Sequence, residues 1–311
     1  MEKRRMASLI VLGVSVWLLP WTGVAATVEV HCENQEPLQA AIDGASAGDT
    51  IVVSGICNEN IYIAEAIEQI TLDGGGTAII NAFNPNGHVV TAMGRSIKIQ
   101  RFTIRGGMDG IQTGGFPPPG GGAKVHIAQN TIENNSRMGI NIGQNSYAVI
   151  TNNTVQNNGT YGIAVSEKSS ARIGVESNGM DSTPKPNIIL GNGIDGIRVT
   201  RSSYAIIVGN TISENTANGI YVSKVSAADI ASNTIDDNGE CGTYVTQNSG
   251  VNLGNDTGTT IYDLPNVTTA KNGLWGVQAS IGSYVDGRRG SLKGFRGIIS
   301  VLSGSINSSI P

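Results

Sequence analysis

The chain has 311 residues, 42 of them glycine, with 39% hydrophobic and only 14% charged side chains. That apolar content excludes wholesale disorder, and a net charge of −4 with no Lys/Arg run in the body argues against nucleic acid as a partner. Aromatic residues are sparse at 5%, which beside abundant Gly and Asn suits many short strands joined by tight turns.

The opening residues carry Lys3, Arg4 and Arg5, an apolar run from Ala7 to Leu19, then Pro20 and a small-residue site ending Val24-Ala25-Ala26. This tripartite layout predicts a secretory signal peptide over residues 1–26, and the run is short for a membrane span. The mature protein is therefore expected to be secreted or periplasmic, with no membrane span. Residues 27–69 read as an N-terminal cap with the first strands. Within them PLQAAIDGASAGDTIVV combines a short amphipathic helix with a Gly-Asp turn into a strand. Such a helix would cover the apolar core and open sheet edge of a first repeat. Cys32 and Cys57 bracket this segment and form the natural disulfide pair in an oxidising compartment, leaving Cys241 over.

From residue 70 to 288 the chain repeats. NTIENNSRMGINI at Asn130 returns as NTVQNNGTYGIAV at Asn153, NTISENTANGIYV at Asn210 and NTIDDNGECGTYV at Asn233. Asn130 to Asn153, Asn187 to Asn210 and Asn210 to Asn233 are each 23 residues. The 34-residue step from Asn153 to Asn187 and the 33-residue step from Asn233 to Asn266 are one period plus an insertion. These insertions, GVESNGMDSTPK and GNDTGTTIYDL, leave the repeat at the same corner and could wall a groove. A third insertion carries FPPPGGG at Phe116. Residues 289–311 fit no repeat and could be a terminal cap or a tail.

Aligning the repeats exposes three apolar segments per period, each with apolar residues two apart. The first column is Ile132, Val155, Ile189, Ile212, Ile235. The second holds Ile140/Ile142, Ile163/Val165, Ile197/Val199, Ile220/Val222 and Thr243/Val245, and the third runs from Ala148/Ile150 to Val251/Leu253. Alternation over a few residues is a strand signal. Three short strands per 23 residues predict an all-β right-handed parallel β-helix in which each coil bonds to the coils above and below. Leucine-rich repeats have a similar period, but their Leu/Asn consensus is missing. Gly139, Gly162, Gly196, Gly219 and Gly242 open the second strand, where a bend with positive φ is expected. Asn135, Asn158, Asn192, Asn215 and Asn238 recur at the preceding turn, where inward amides could ladder from coil to coil as scaffold. Ser146, Ser169, Ser203, Ser226 and Ser249 precede the third strand.

The repeat Asn-Thr-Ile-x-x-Asn…Gly-Ile-x-Val, with the opening LQAAIDGASAGDTIVVSGICNENIYI and ITLDGGG, resembles bacterial right-handed parallel β-helix proteins of the pectin-lyase-like superfamily over roughly residues 28–288. DGRRGSL at Asp286 resembles an element of an exported subgroup without assigned activity. The resemblance implies a fold but no single chemistry, since the superfamily includes lyases, hydrolases, epimerases and adhesive spikes. The catalytic sets of its lyases, hydrolases and epimerases are absent. Asp236-Asp237 is a lone acidic pair without a downstream His or Arg-x-Lys, and His31, His88 and His126 are scattered.

Whether the chain is an enzyme therefore stays open, and the sequence offers two surfaces to weigh. Glu214 and Asp237 share one outward turn column a rung apart, about 4.8 Å by strand spacing, so they could pair as acid and nucleophile or bind Ca²⁺. They could equally be two solvated turn residues. No other cofactor or metal is implied. The outward column of the second strand (Asn141, Ala164, Arg198, Tyr221, Tyr244) lies beside the column before the bend glycine (Met138, Tyr161, Asp195, Asn218, Cys241, Trp275). Tyr161, Asp195, Arg198, Tyr221, Tyr244 and Trp275 thus form a carbohydrate-binding candidate, because sugar faces stack on aromatic rings while hydroxyls bond to Arg and Asp. The plainer alternative is that outward Tyr and Arg favour strands and cover their neighbours. The favoured reading is an exported scaffold that binds polysaccharide or acts structurally at the cell surface. The alternative is a polysaccharide lyase, hydrolase or epimerase with an unrecognised site, in which Glu214, Asp237 and Arg198 would be the catalytic candidates. A copper-site accessory role is disfavoured by the few His, Met and Cys residues in any column. Oligomeric state is not legible.

Overall fold

The computed structural model describes residues 25–114, 122–176, 184–254, 264–288 and 290–302, with a last strand at Ile306–Asn307. Residues 1–24, on which most of the expected signal peptide falls, residues 115–121 with most of the FPPPGGG insertion, and the middles of the two long insertions lie outside the described residues.

Short strands wind into three parallel sheets of twelve, ten and eight strands, and each strand pairs with its equivalent one coil on. One coil illustrates the rest. Ile188–Leu190 lies in the eight-stranded sheet, Ile197–Val199 in the ten-stranded and Tyr204–Val208 in the twelve-stranded. On the next coil Ile189 faces Ile212, Ile197 faces Ile220 and Ala205 faces Ala228. The register is held because a one-residue slip would turn the whole apolar column outward. All three apolar columns point inward and merge into one continuous buried core. No helix of the described residues is long and apolar enough to cross a membrane.

The coil begins before residue 70. Strands Thr50–Ser54, Ile56–Asn58 and Ile61–Ile63 already form a complete turn, and Thr27–His31 adds an outer strand to the twelve-stranded sheet. Helix Leu38–Asp43 packs on this first turn with Leu38 and Ile42 fully buried. The Glu59 carboxylate accepts from the backbone N–H groups of Leu38 and Gln39, satisfying two donors at the helix start. Cys32 and Cys57 form a disulfide with Cα atoms 5.0 Å apart, tying the segment after the outer strand to the first turn. At the other end, Gly297–Val301 pairs with Trp275–Ala279 and Ile306–Asn307 with Tyr284–Gly287. The segment after residue 288 thus prolongs two of the sheets.

Polar ladders run up the corners inside the coil. Asn192 Oδ1 accepts from both the backbone N–H and the side-chain amide of Asn158, at 3.1 and 3.0 Å. Its own amide donates to Asn215 Oδ1 and to the Val155 carbonyl. Asn135 and Asn238 repeat this pattern, and Asn272 extends the ladder beyond Asn238. A second ladder links Asn130, Asn153, Asn187, Asn210, Asn233 and Asn266. At the third corner each backbone N–H of Ser146, Ser169, Ser203, Ser226 and Ser249 donates to the serine hydroxyl of the next coil.

The bend glycines correct one expectation. Gly139, Gly162, Gly196, Gly219 and Gly242 are not in the positive-φ region. They are needed for room, since a Cβ on Gly196 would lie 2.6 Å from Ile212 Cγ2 and 2.8 Å from the Gly219 carbonyl oxygen. The left-handed positions fall instead just before the ladder residues, at Asn134, Asn157, Gly191, Glu214 and Asp237. One left-handed residue there turns the chain sharply, and Asn and Gly tolerate that conformation best.

Candidate functional site

The ten-stranded sheet brings most of the predicted stripe together. Cα pairing places Ala164, Arg198, Tyr221 and Tyr244 on successive rungs of one outward column. The Arg198 guanidinium lies between two rings, 4.7 Å from the Tyr161 centroid and 4.4 Å from that of Tyr221. Its Nη1 donates to Tyr161 Oη at 2.8 Å and to Asp195 Oδ2 at 3.2 Å. Tyr221 meets Tyr244 edge-on at 5.4 Å, and Tyr244 Oη is 3.0 Å from Ser280 Oγ. A guanidinium held by two aromatic faces and one carboxylate loses its rotamer freedom before any ligand arrives.

Asp195 is almost fully buried and anchors the cluster from below. Its Oδ1 accepts from the backbone and the side-chain amide of Asn218, while Oδ2 takes Arg198. Burial pushes its pKa above the ordinary carboxylate value, and the bonds from Asn218 and the charge of Arg198 oppose that rise. Burial also raises the Tyr221 hydroxyl, against the pull of Arg198. Cys241, in the same inner column, is buried and its thiol is pushed up to about 11, chiefly by desolvation.

Towards the N-terminal end this surface opens into a groove of about 310 Å³, lined by Arg137, Met138, Tyr161, Ala164, Arg198 and, at the corner, Arg201 and Lys224, with two small hydroxyl residues. Ala164 makes the floor, because the long outward side chains on either side of it leave its rung open. The lining carries four cations and no carboxylate. Arg137 is braced by Asp109, which accepts from Arg137 Nε at 2.8 Å and lies 3.2 Å from His88 Nδ1. Burial of Asp109 would raise its pKa, but the bonds and charges of Arg137 and His88 outweigh it and hold the group at about 2.

The remaining sequence candidates lie elsewhere. Trp275 occupies the column before the bend glycine, but its ring lies over Gly297 of the terminal strand. Glu214 and Asp237 follow paired strands of the eight-stranded sheet, one rung apart. Both are exposed, and their carboxylates enter no hydrogen bond or ion pair among the described residues. They do not join Arg198. Sequence reasoning did not single out Arg137, Arg201, Lys224 or the His88–Asp109 pair. Asp109 precedes Gly110, so extending the pre-glycine column one coil toward the N-terminus would have found it. Arg201 and Lys224 sit at left-handed or adjoining corner positions without an apolar period to mark them.

Two family models match the chain: one described as a right handed beta helix region over residues 43–178, the other as periplasmic copper-binding protein (NosD) over residues 125–263. No curated protein sequence matches it. Among solved structures, pectate lyase Pel9A superposes with a TM-score of 0.50 at 12% identity, over 92% of this chain and 80% of that one. An alginate lyase from Paenibacillus sp. str. FPU-7 gives 0.47 at 14% identity, over 91% of this chain and 99% of that one. The A-module of the Azotobacter vinelandii mannuronan C-5 epimerase AlgE6 gives 0.42 at 16% identity, over 91% and 100%. Identities this low speak to the fold and not to the chemistry. The copper description was tested against the donors present, since copper sites draw on His, Cys and Met. Met138 and Cys241 stand four rungs apart in one column, about 19 Å by strand spacing. His126 is on a different sheet, and no group of three or more His, Cys, Asp or Glu converges among the described residues. The continuous three-sheet coil, the β-helix family match and the pectate lyase superposition agree on one architecture, and the chain folds as a right-handed parallel β-helix.

Proposed function

We propose that this is an exported β-helix that binds an acidic polysaccharide along the ten-stranded sheet, without cleaving it. The observation that carries the reading is the groove beside the Tyr161–Arg198–Tyr221 sandwich, lined by four cations, of which Arg137, Arg198 and Arg201 are each braced by a carboxylate outside the lining (Asp109, Asp195 and Glu167). Rings that stack on a sugar face and guanidiniums that pair with its carboxylate are complementary to a uronic-acid chain. A linear ligand also suits a surface whose side chains repeat at each rung, about 4.8 Å apart. The polysaccharide-active enzymes among the structural neighbours are in keeping with this substrate class. The Cys32–Cys57 disulfide and the periplasmic description of the matching family support an extracytoplasmic location.

The reading against hydrolysis rests on the carboxylates. An acid and base pair needs both groups at the scissile bond. Asp195 is buried beneath Arg198, Asp109 is held by Arg137, and Glu214 and Asp237 lie on another sheet's turn. The test is a panel of uronic-acid and neutral polysaccharides, with and without Ca²⁺, scored for both binding and chain cleavage. Acidic chains should bind and neutral ones should not. Arg198→Ala should weaken binding about tenfold or more, the worth of one charge-assisted bond, and Tyr221→Ala should weaken it less. Cleavage that disappears in Glu214→Ala, Asp237→Ala or Arg198→Ala would overturn the proposal in favour of an enzyme.

A further inference from the structure

A second groove, of about 470 Å³, lies on a different face, the twelve-stranded sheet. We propose that it is a separate ligand site that takes a small oxyanion, a carboxylate or phosphate group, between Lys98, Lys124 and His126. It shares no residue with the tyrosine–arginine groove.

Lys98 and His126 are Cα partners on adjacent rungs. Their side chains leave the same face, about 4.8 Å apart at the backbone. Lys124 stands two residues before His126 on the same strand, so its side chain leaves the same face, and the irregularity lies in the neighbouring strand. Arg95 pairs with Lys124 and Ile97 with Val125, so Ser96 is the extra residue, at φ +58°. A bulge of this kind re-aims the side chains beside it. Two ammonium groups and an imidazole thus surround one opening, walled by Tyr147, the rung partner of Lys124. The ammonium groups of Lys98 and Lys124 repel across the opening, and an anion between them offsets that repulsion.

The surrounding charges favour the same ligand. Glu176 is the one carboxylate in the lining, and Lys185 Nζ holds it at 2.6 Å. Arg172 Nε donates to the Glu176 carbonyl oxygen, and Arg172 Nη2 is buried with no hydrogen-bond partner among the described residues. The lining itself thus carries Lys98 and Lys124 against the one carboxylate of Glu176, which Lys185 already pairs from outside it. His126 Nε2 is 3.1 Å from Thr151 Oγ1 and 3.9 Å from Glu176 Oε1. Burial and the charges of Lys98 and Lys185 lower its pKa below the ordinary histidine value, against the pull of Glu176. An empty groove thus holds neutral imidazole at pH 7, and a bound anion favours the imidazolium. By linkage, affinity for the anion should rise as pH falls through the histidine range.

The chain has three histidines, so ring resonances in histidine-labelled protein can be assigned by replacing each in turn. Titration with inorganic phosphate, with glucuronate and with glucose distinguishes the sources of the anion. The His126 signals should shift saturably with phosphate, with glucuronate or with both, and not with glucose; whichever binds tighter identifies the group. Between pH 7.5 and 5.5 the glucuronate affinity should increase, since its carboxylate stays ionised throughout. Lys98→Ala with Lys124→Ala should weaken binding about tenfold or more while leaving the melting temperature near that of the parent. Lys124→Glu, a single exposed substitution, should give the same loss if the double variant folds poorly. No His126 shift with either anion, an equal shift with glucose, or unchanged affinity in the lysine variants would each overturn the proposal. Because His126 reports only on its own groove, failure here leaves the polysaccharide reading of the other sheet standing.

Discussion

Asp109 shows how much one side chain can carry in this surface. It is fully buried, braces Arg137 and orients His88 from beneath the groove. Its pKa is held at about 2 against an ordinary 3.8. A depressed carboxylate contributes stability that is present above its unfolded pKa and is lost as pH falls through the folded one. The shift is worth about 2 kcal/mol, from about 1.4 kcal/mol per pKa unit. Denaturant unfolding should therefore show that contribution at pH 7 and lose it between about pH 4 and pH 2. Asp109→Asn should be less stable at pH 7 and should flatten the acid loss in that window. An unchanged acid profile in Asp109→Asn would show that Arg137 finds equivalent support elsewhere. Arg198 is the counterpart on the ligand side, fixed by Tyr161, Tyr221 and Asp195 before binding.

At the scale of one coil, the asparagine ladder fixes the turns. Each amide satisfies a backbone N–H and a carbonyl of the coil before it, all within the buried interior. Asn192→Ala would leave the backbone N–H and the side-chain amide of Asn158 without their acceptor. Each orphaned buried donor costs about 1–3 kcal/mol. Thermal melting should show a loss of that order, while affinity for an acidic polysaccharide stays within twofold of the parent. A stable variant with lost binding would move Asn192 from scaffold to site. The columns of this turn were legible in the sequence because the period repeats them. The role of the bend glycine was not. A recurring glycine reads as a left-handed turn, but Gly196 answers to Ile212 and Gly219 on the next coil, whose approach only the stacked structure fixes.

At the scale of the whole molecule, a solenoid is stable through coil-on-coil contacts and its ends are the weak points. The N-terminal end is closed by helix Leu38–Asp43 and by the Cys32–Cys57 disulfide, with a sequence separation of 25 residues. Closing a loop of that length stabilises by about 3 kcal/mol in the chain-entropy account. Cys32→Ser with Cys57→Ser, or melting under reducing conditions, should lower the transition by that order. Amide exchange should rise first in the coil at residues 50–63. Uniform loss of protection along the chain would mean that the coil melts as one unit rather than from the end.

The sequence by itself determined the coil: its period, its three apolar columns, the inward asparagines and the in-register stacking of Arg198, Tyr221 and Tyr244. It could do so because every core contact in a solenoid falls at a fixed distance along the chain, so the packing leaves a periodic record. Only the tertiary structure decided which charged groups meet. Arg137 comes to the groove through Asp109, Arg201 and Lys224 come from a corner, and Lys98, Lys124 and His126 meet on one face of two rungs beside the described end of an insertion. Those residues follow no period, because outward side chains answer to charge and room on neighbouring turns rather than to the core. NTIENN records the scaffold, and the grooves lie where the record is irregular.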